Sequence, residues 1–221
     1  NDGRLVAVNA DTGKACSDFG QNGEVNLQEF MPYAYPGGYN PTSPGVVSGT
    51  TVVIAGSVTD NHSNKEPSGV IRGYDVNTGK LLWVFDTGAA DPNAMPGQDT
   101  TFVHNSPNAW APLAYDSKLD IVYVPTGVGT PDIWGGDRTE LKERYANSML
   151  AINATTGKLV WHFQTTHHDL WDMDVPSQPS LADVQDKSGQ TVPAIYVLTK
   201  TGNRSEEHTS ELQSPCNLVC R

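Results

Sequence analysis

Apolar and polar residues alternate in short runs along this chain, and helical spacing is scarce. A period of two predicts strands with alternate side chains on opposite faces. Three segments share one pattern: LVAVNADTGKACSDF (5–19), VIRGYDVNTGKLLWVF (70–85) and MLAINATTGKLVWHF (149–163). Each runs from an apolar strand through Asn or Asp into Thr-Gly-Lys, then into a second strand. The Asn or Asp side chain caps such a turn, and Gly13, Gly79 and Gly157 supply the positive φ that it needs. Trp83 and Trp161 stand four residues after their glycines, whereas the first copy has Ser17 there.

The turns are 66 and 78 residues apart, too far for one compact four-stranded unit, so inserted loops are expected. Further strands are predicted within 46–58, 111–127 and 194–202, and a short helix over 138–147, RTELKERYAN. Repeated hairpins of this kind bury their faces against one another, as in a β-propeller. The expectation is an all-β arc of three to four blades, an internal fragment of a larger ring and inactive in isolation.

Composition fits that reading. Among 221 residues, 21 are Gly and 15 Pro, which suits a turn-rich β-protein. The formal net charge is -11 with no clustered cations, which argues against a nucleic-acid partner. No apolar run approaches the roughly 20 residues that span a bilayer. Residues 204–221, RSEEHTSELQSPCNLVCR, break the strand pattern and read like a translated sequencing adapter. The chain is therefore divided at 1–203 and 204–221, the second part expected to be non-native and disordered. That leaves Cys16 as the one cysteine to weigh, with no disulfide framework.

Four clusters carry candidate chemistry, all on connections between strands. Asp60 and Asn61 follow a strand and offer oxygen to a hard cation, or simply cap a turn. Trp110, in NSPNAWA, is a core anchor or a platform for a flat ligand. Lys200, in TKTGN, is solvated unless an anionic or carbonyl oxygen meets it. The fourth is HHDLWDMD (167–174). Adjacent histidines point to opposite sides of an extended chain, so zinc fits poorly. A single desolvated aspartate acting as general base fits better.

Together these stretches resemble the quinoprotein dehydrogenases that use pyrroloquinoline quinone (PQQ), in particular their membrane-bound glucose/quinate/shikimate branch. The resemblance covers residues 1–203 and rests on long strings such as TDNHSNKEPSGVIRGYDVNTGKLLWVFDTG and FQTTHHDLWDMDVPSQPS. It implies an eight-bladed propeller with tryptophan-docking repeats, of which this is part. It also implies oxidation of an aldose, D-glucose, at C1 to the lactone, with electrons passing to ubiquinone at the periplasmic face of the bacterial inner membrane. Membrane association would come only from segments outside this chain. By resemblance, Asp172 is the base, Trp110 lies against PQQ, Lys200 neighbours its quinone oxygens, and Asp60 and Asn61 belong to a Mg²⁺ or Ca²⁺ site. His168 is placed with the cofactor residues, and with His167 and Asp169 is expected to orient Asp172. Asp169 and Asp174 remain rival bases. Relatives that oxidise alcohols carry a metal-ligating Asn where this chain has Val128; Asp132 or a backbone carbonyl is the expected substitute. Quinate or shikimate oxidation, and a non-enzymatic scaffold of similar repeats, are the alternatives.

Overall fold

The computed structural model describes residues 3–201 and the backbone of Leu218–Cys220. Two complete four-stranded antiparallel sheets form its centre. The first contains β4 (Val46–Ser48), β5 (Thr51–Ile54), β7 (Ile71–Asp75) and β8 (Leu81–Phe85), hydrogen-bonded in that order. The second contains β9 (Ala114–Asp116), β10 (Ile121–Pro125), β11 (Ser148–Asn153) and β12 (Leu159–Gln164). On the N-terminal side lie the hairpin of β1 (Arg4–Val6) and β2 (Glu24–Asn26) and the short pair of β3 (Tyr39–Asn40) and β6 (Ser57–Val58). On the other side β13 (Ser180–Gln185) pairs with β14 (Thr191–Tyr196), which also pairs with β15 (Leu218–Cys220). The architecture is an all-β partial propeller: two whole blades with incomplete neighbours. The proposed boundary at residue 204 lies outside the described residues, apart from the backbone of β15.

The core lies between sheets, and strand periodicity divides it. In β10, Val122 and Val124 join the cluster facing the first sheet, with Val53, Ile71, Phe85, Leu150 and Ile152. Ile121 and Tyr123, on the opposite face of the same strand, join Met149, Val175, Ile195 and Val197. Such strands are buried on both faces, which is why they read as continuous apolar runs. On the first sheet's other face, Arg72 is fully buried between Tyr39, Tyr74 and Phe102, its Nη1 donating to Leu27 O at 2.7 Å.

The three turns form alike. Asn9, Asp75 and Asn153 each accept, through Oδ1, the backbone N–H and hydroxyl of the threonine three residues on, at 2.8–2.9 Å. Gly13, Gly79 and Gly157 adopt φ of 68°, 71° and 71°. Trp83 is where one sheet meets the next. Its indole lies over Gly73 of its own sheet and Gly157 of the following turn, where a Cβ would fall 2.5 Å from the ring. Its Nε1 donates to Ala154 O at 3.0 Å. The first repeat lacks this tryptophan, and Phe19 with Val25 fills the corresponding space over Gly79.

The helix predicted over 138–147 is only α1 (Glu140–Glu143), capped by the Thr139 hydroxyl, which accepts from Lys142 N at 3.3 Å. Asn147 has φ 45°, incompatible with a continuing right-handed helix.

Candidate active site

Five loops meet at one cavity of about 220 Å³, lined by Thr42, Ser57, Asp60, Trp110, Asp172, Asp174 and Lys200. Asp60 arrives directly after β6, Trp110 ahead of β9, the two other aspartates after β12, and Lys200 after β14. Four residues singled out in the sequence therefore share one cavity despite separations of up to 140 positions. The Thr42 and Ser43 hydroxyls donate to Trp110 O at 2.8 and 2.7 Å and fix its backbone.

Lys200 Nζ lies 2.8 Å from Asp172 Oδ2, 3.1 Å from Asp174 Oδ2 and 5.7 Å from the Trp110 ring centroid. Asp174 is the buried member of this group. Its Oδ2 also accepts from Trp110 Nε1 at 3.0 Å, and its Oδ1 from Val128 N at 3.0 Å. Asp172 is half-buried and sits at φ 57°, a left-handed conformation that Asp tolerates better than most residues.

Asp169 has another task. It is buried, with Oδ1 accepting from Trp171 N at 2.8 Å and Oδ2 from Met173 N at 2.6 Å and Asn147 Nδ2 at 2.8 Å. These bonds use the carboxylate to shape the loop that delivers Asp172. His168 does not line the cavity: its Nδ1 is 3.2 Å from Glu143 Oε1, on the α1 side. His167 is exposed. Asn61 also faces elsewhere, since its Oδ1 accepts from Asp132 N at 3.1 Å and so holds the 131–133 loop.

Arg138 escaped notice in the sequence because a single arginine at the start of a predicted helix carries no signal. Its buried guanidinium donates to Pro131 O at 2.9 Å, Asp132 O at 3.1 Å and Asp169 O at 3.3 Å. It ties the Asp132 loop to the Asp172 loop.

The electrostatics suit a cation. Burial first, then Asp60, Asp172 and Asp174, push the Asp132 carboxyl up to about 7. Burial and then Asp174 and Asp172 raise Asp60, and burial and then Asp172 raise Asp174. Burial opposes the charge on Lys200, but the hydrogen bonds and charges of Asp172 and Asp174 outweigh it and hold the ammonium above its ordinary range. Asp132 Oδ1 is buried without a hydrogen-bond partner. A hard divalent ion would relieve both the crowding and that orphan oxygen. Among the described residues, however, no three His, Cys, Asp or Glu side chains are already grouped to hold a metal. The donors here make at most part of a coordination shell.

The sign of the pH dependence follows from Asp132. An acid raised in the folded state favours folding at low pH, and that contribution is lost as pH rises from about 4 to about 7. In the metal-free protein we expect unfolding free energy to fall across this window by up to about 4 kcal/mol. Saturating Ca²⁺ or Mg²⁺ should flatten the fall. Denaturant titrations at stepped pH, with and without chelator, measure both effects, and a metal-free profile that is flat or rises would refute the assignment.

The family described as PQQ: Glucose/ethanol/alcohol dehydrogenase, beta-propeller domain, matches residues 1–204. The chain belongs to this PQQ dehydrogenase propeller family. It is 93% identical over 203 residues to quinoprotein glucose dehydrogenase A of Acinetobacter calcoaceticus, covering 92% of this chain and 25% of that protein. It is 64% identical over 203 residues to the quinoprotein glucose dehydrogenase of Escherichia coli strain K12, with the same coverage. The chain thus spans about a quarter of the length of these relatives. Its fold superposes on the quinohemoprotein alcohol dehydrogenase of Comamonas testosteroni with a TM-score of 0.69 and 25% identity, over 91% of this chain and 30% of that one. In this chain the cavity falls where strand-connecting loops converge, the usual place for function on a rigid β-scaffold.

Proposed function

We propose that this chain is the substrate- and cofactor-facing arc of a PQQ-dependent aldose dehydrogenase, oxidising D-glucose at C1 to the lactone. The observation that carries the reading is the convergence of Asp172, Lys200, Trp110 and Asp60 on one cavity. The 93% identity to a quinoprotein glucose dehydrogenase supports the substrate class.

The residues present fit the group. The Trp110 ring offers a flat face, Lys200 a cationic donor, and Asp60 and Asp132 oxygen to a divalent ion. When bound, PQQ supplies a two-electron acceptor and the cation a Lewis acid. The chain's own part is positional and acid–base. Asp172 accepts the proton of the sugar's anomeric hydroxyl, and Lys200 holds that carboxylate by Oδ2. Lys200 would also bring positive charge to an oxygen of the bound acceptor. Trp110, fixed through its carbonyl and its indole N–H, would offer the acceptor a flat face. Electron transfer to ubiquinone, and a place at the periplasmic face of the inner membrane, complete the proposal.

The test is substrate profiling of a full-length protein carrying these residues, loaded with PQQ and Mg²⁺ or Ca²⁺. Reduction of a quinone acceptor by glucose and other aldoses is expected. Turnover of quinate or shikimate but not aldoses would overturn the substrate assignment. Failure to take up PQQ would favour a scaffold.

A further inference from the structure

We infer that Asp174 is a positioning residue, the shared acceptor that fixes Lys200 and Trp110 relative to Asp172. This rests on the function proposed above. Asp174 is 5% exposed, and all its bonds go to groups that shape the cavity: Val128 N on Oδ1, Trp110 Nε1 and Lys200 Nζ on Oδ2. Its place is prepared by Gly127, where a Cβ would fall 2.5 Å from Asp174 Oδ1. Only glycine there lets the carboxylate close on the 126–128 backbone.

The stoichiometry of Lys200 explains the role. An ammonium has three N–H donors. One goes to Asp172 and one to Asp174, leaving the third for an oxygen in the cavity. Without Asp174, the ammonium has only Asp172 to pair with, and it moves onto the carboxylate that must accept the substrate's proton. Trp110 loses its indole partner at the same time. A single buried carboxylate therefore keeps the base accessible and the platform level. Asn is close in shape, but its amide would turn either a donor toward the two donors or an oxygen that lacks charge.

The experiment places residues 1–203 in the full-length Acinetobacter calcoaceticus relative and compares wild type, Asp174→Asn and Gly127→Ala. Asp174→Asn removes the charge, whereas Gly127→Ala keeps it and displaces it. Both are expected to lower kcat for glucose by about 10- to 100-fold, as small misplacements of reacting groups do, with KM within about threefold. In the apoprotein, the ultraviolet resonance Raman band of the Trp110 indole N–H, taken as a difference from Trp110→Phe, should shift to a weaker hydrogen bond in both. Gly127→Ala decides the matter if Asp174→Asn does not fold. An unmoved indole band, or kcat within about twofold of wild type, overturns the inference. Wild-type protein that takes up no PQQ sinks the proposed function instead, and the apoprotein band then decides the positioning role by itself.

Discussion

Asp172→Asn in a full-length protein carrying these residues is expected to reduce kcat by about 10²- to 10⁴-fold, the usual worth of a positioned general base. Uptake of PQQ should persist. The amide is nearly isosteric, and Trp110, fixed by Thr42, Ser43 and Asp174, does not depend on Asp172 for its position. Lys200 keeps Asp174 as a partner at 3.1 Å, so the ammonium stays in the cavity. The loss therefore falls on kcat rather than on binding, the signature of an interaction made in the transition state. Stopped-flow reduction of the bound cofactor by glucose, beside an absorbance titration of its uptake, separates the two. Retention of more than a tenth of wild-type turnover would remove Asp172 from the role of base. Asp174 would not inherit it, since both of its oxygens are already engaged.

The second large effect is on stability. Trp83→Ala should destabilise the fold by about 3–5 kcal/mol, the range for deleting a buried large aromatic. The cost is high here because the indole fills space between two glycine surfaces, Gly73 and Gly157, and neither can move in to refill it. Trp83→Phe keeps most of that contact and gives up the bond to Ala154 O, for about 1 kcal/mol. Denaturant unfolding of the three proteins gives both numbers. A Trp83→Ala loss below 1 kcal/mol would mean that the sheets are joined mainly by their aliphatic core.

What the sequence made legible is what depends on local rules. Asn9, Asp75 and Asn153 could be assigned to turns because an Asx side chain, a threonine and a glycine at fixed offsets suffice to build one. The helix over 138–147 was overextended because its composition is helical while its ends serve other partners. Arg138 spends its guanidinium on three carbonyls, and Asn147 takes a left-handed φ to reach Asp169. Strand β13 went unpredicted because SLADVQ is largely exposed and alternates weakly.

At the site, residue types pointed to loops that share one cavity, but not to who faces whom. Asp169, Asp172 and Asp174 share one short motif, and sequence offers no way to rank their burial. Only the tertiary contacts give Asp169 to the loop and Asp174 to Trp110. Asn61 and His168 each stand beside the cavity loops yet turn to a neighbour, one to the Asp132 backbone and the other to Glu143. Both residues sit at left-handed φ, 50° and 46°, which no periodicity encodes.

The tryptophan interlock has a polarity. Trp83 reaches forward onto the turn of the next sheet, and that turn, NATTGK (153–158), has no aromatic side chain to reach back. Removing a sheet therefore strips the one before it of its indole contact, while the one after it loses only a surface to be covered. Trp161 meets Tyr123 within its own sheet, at 5.8 Å between ring centroids, and no fourth such turn covers it among the described residues. Trp161 is only partly buried whereas Trp83 is 5% exposed, so amide exchange should be faster in β12 than in β8. Order in such a ring is passed on like courses of overlapping tiles, each pinned by the one laid after it.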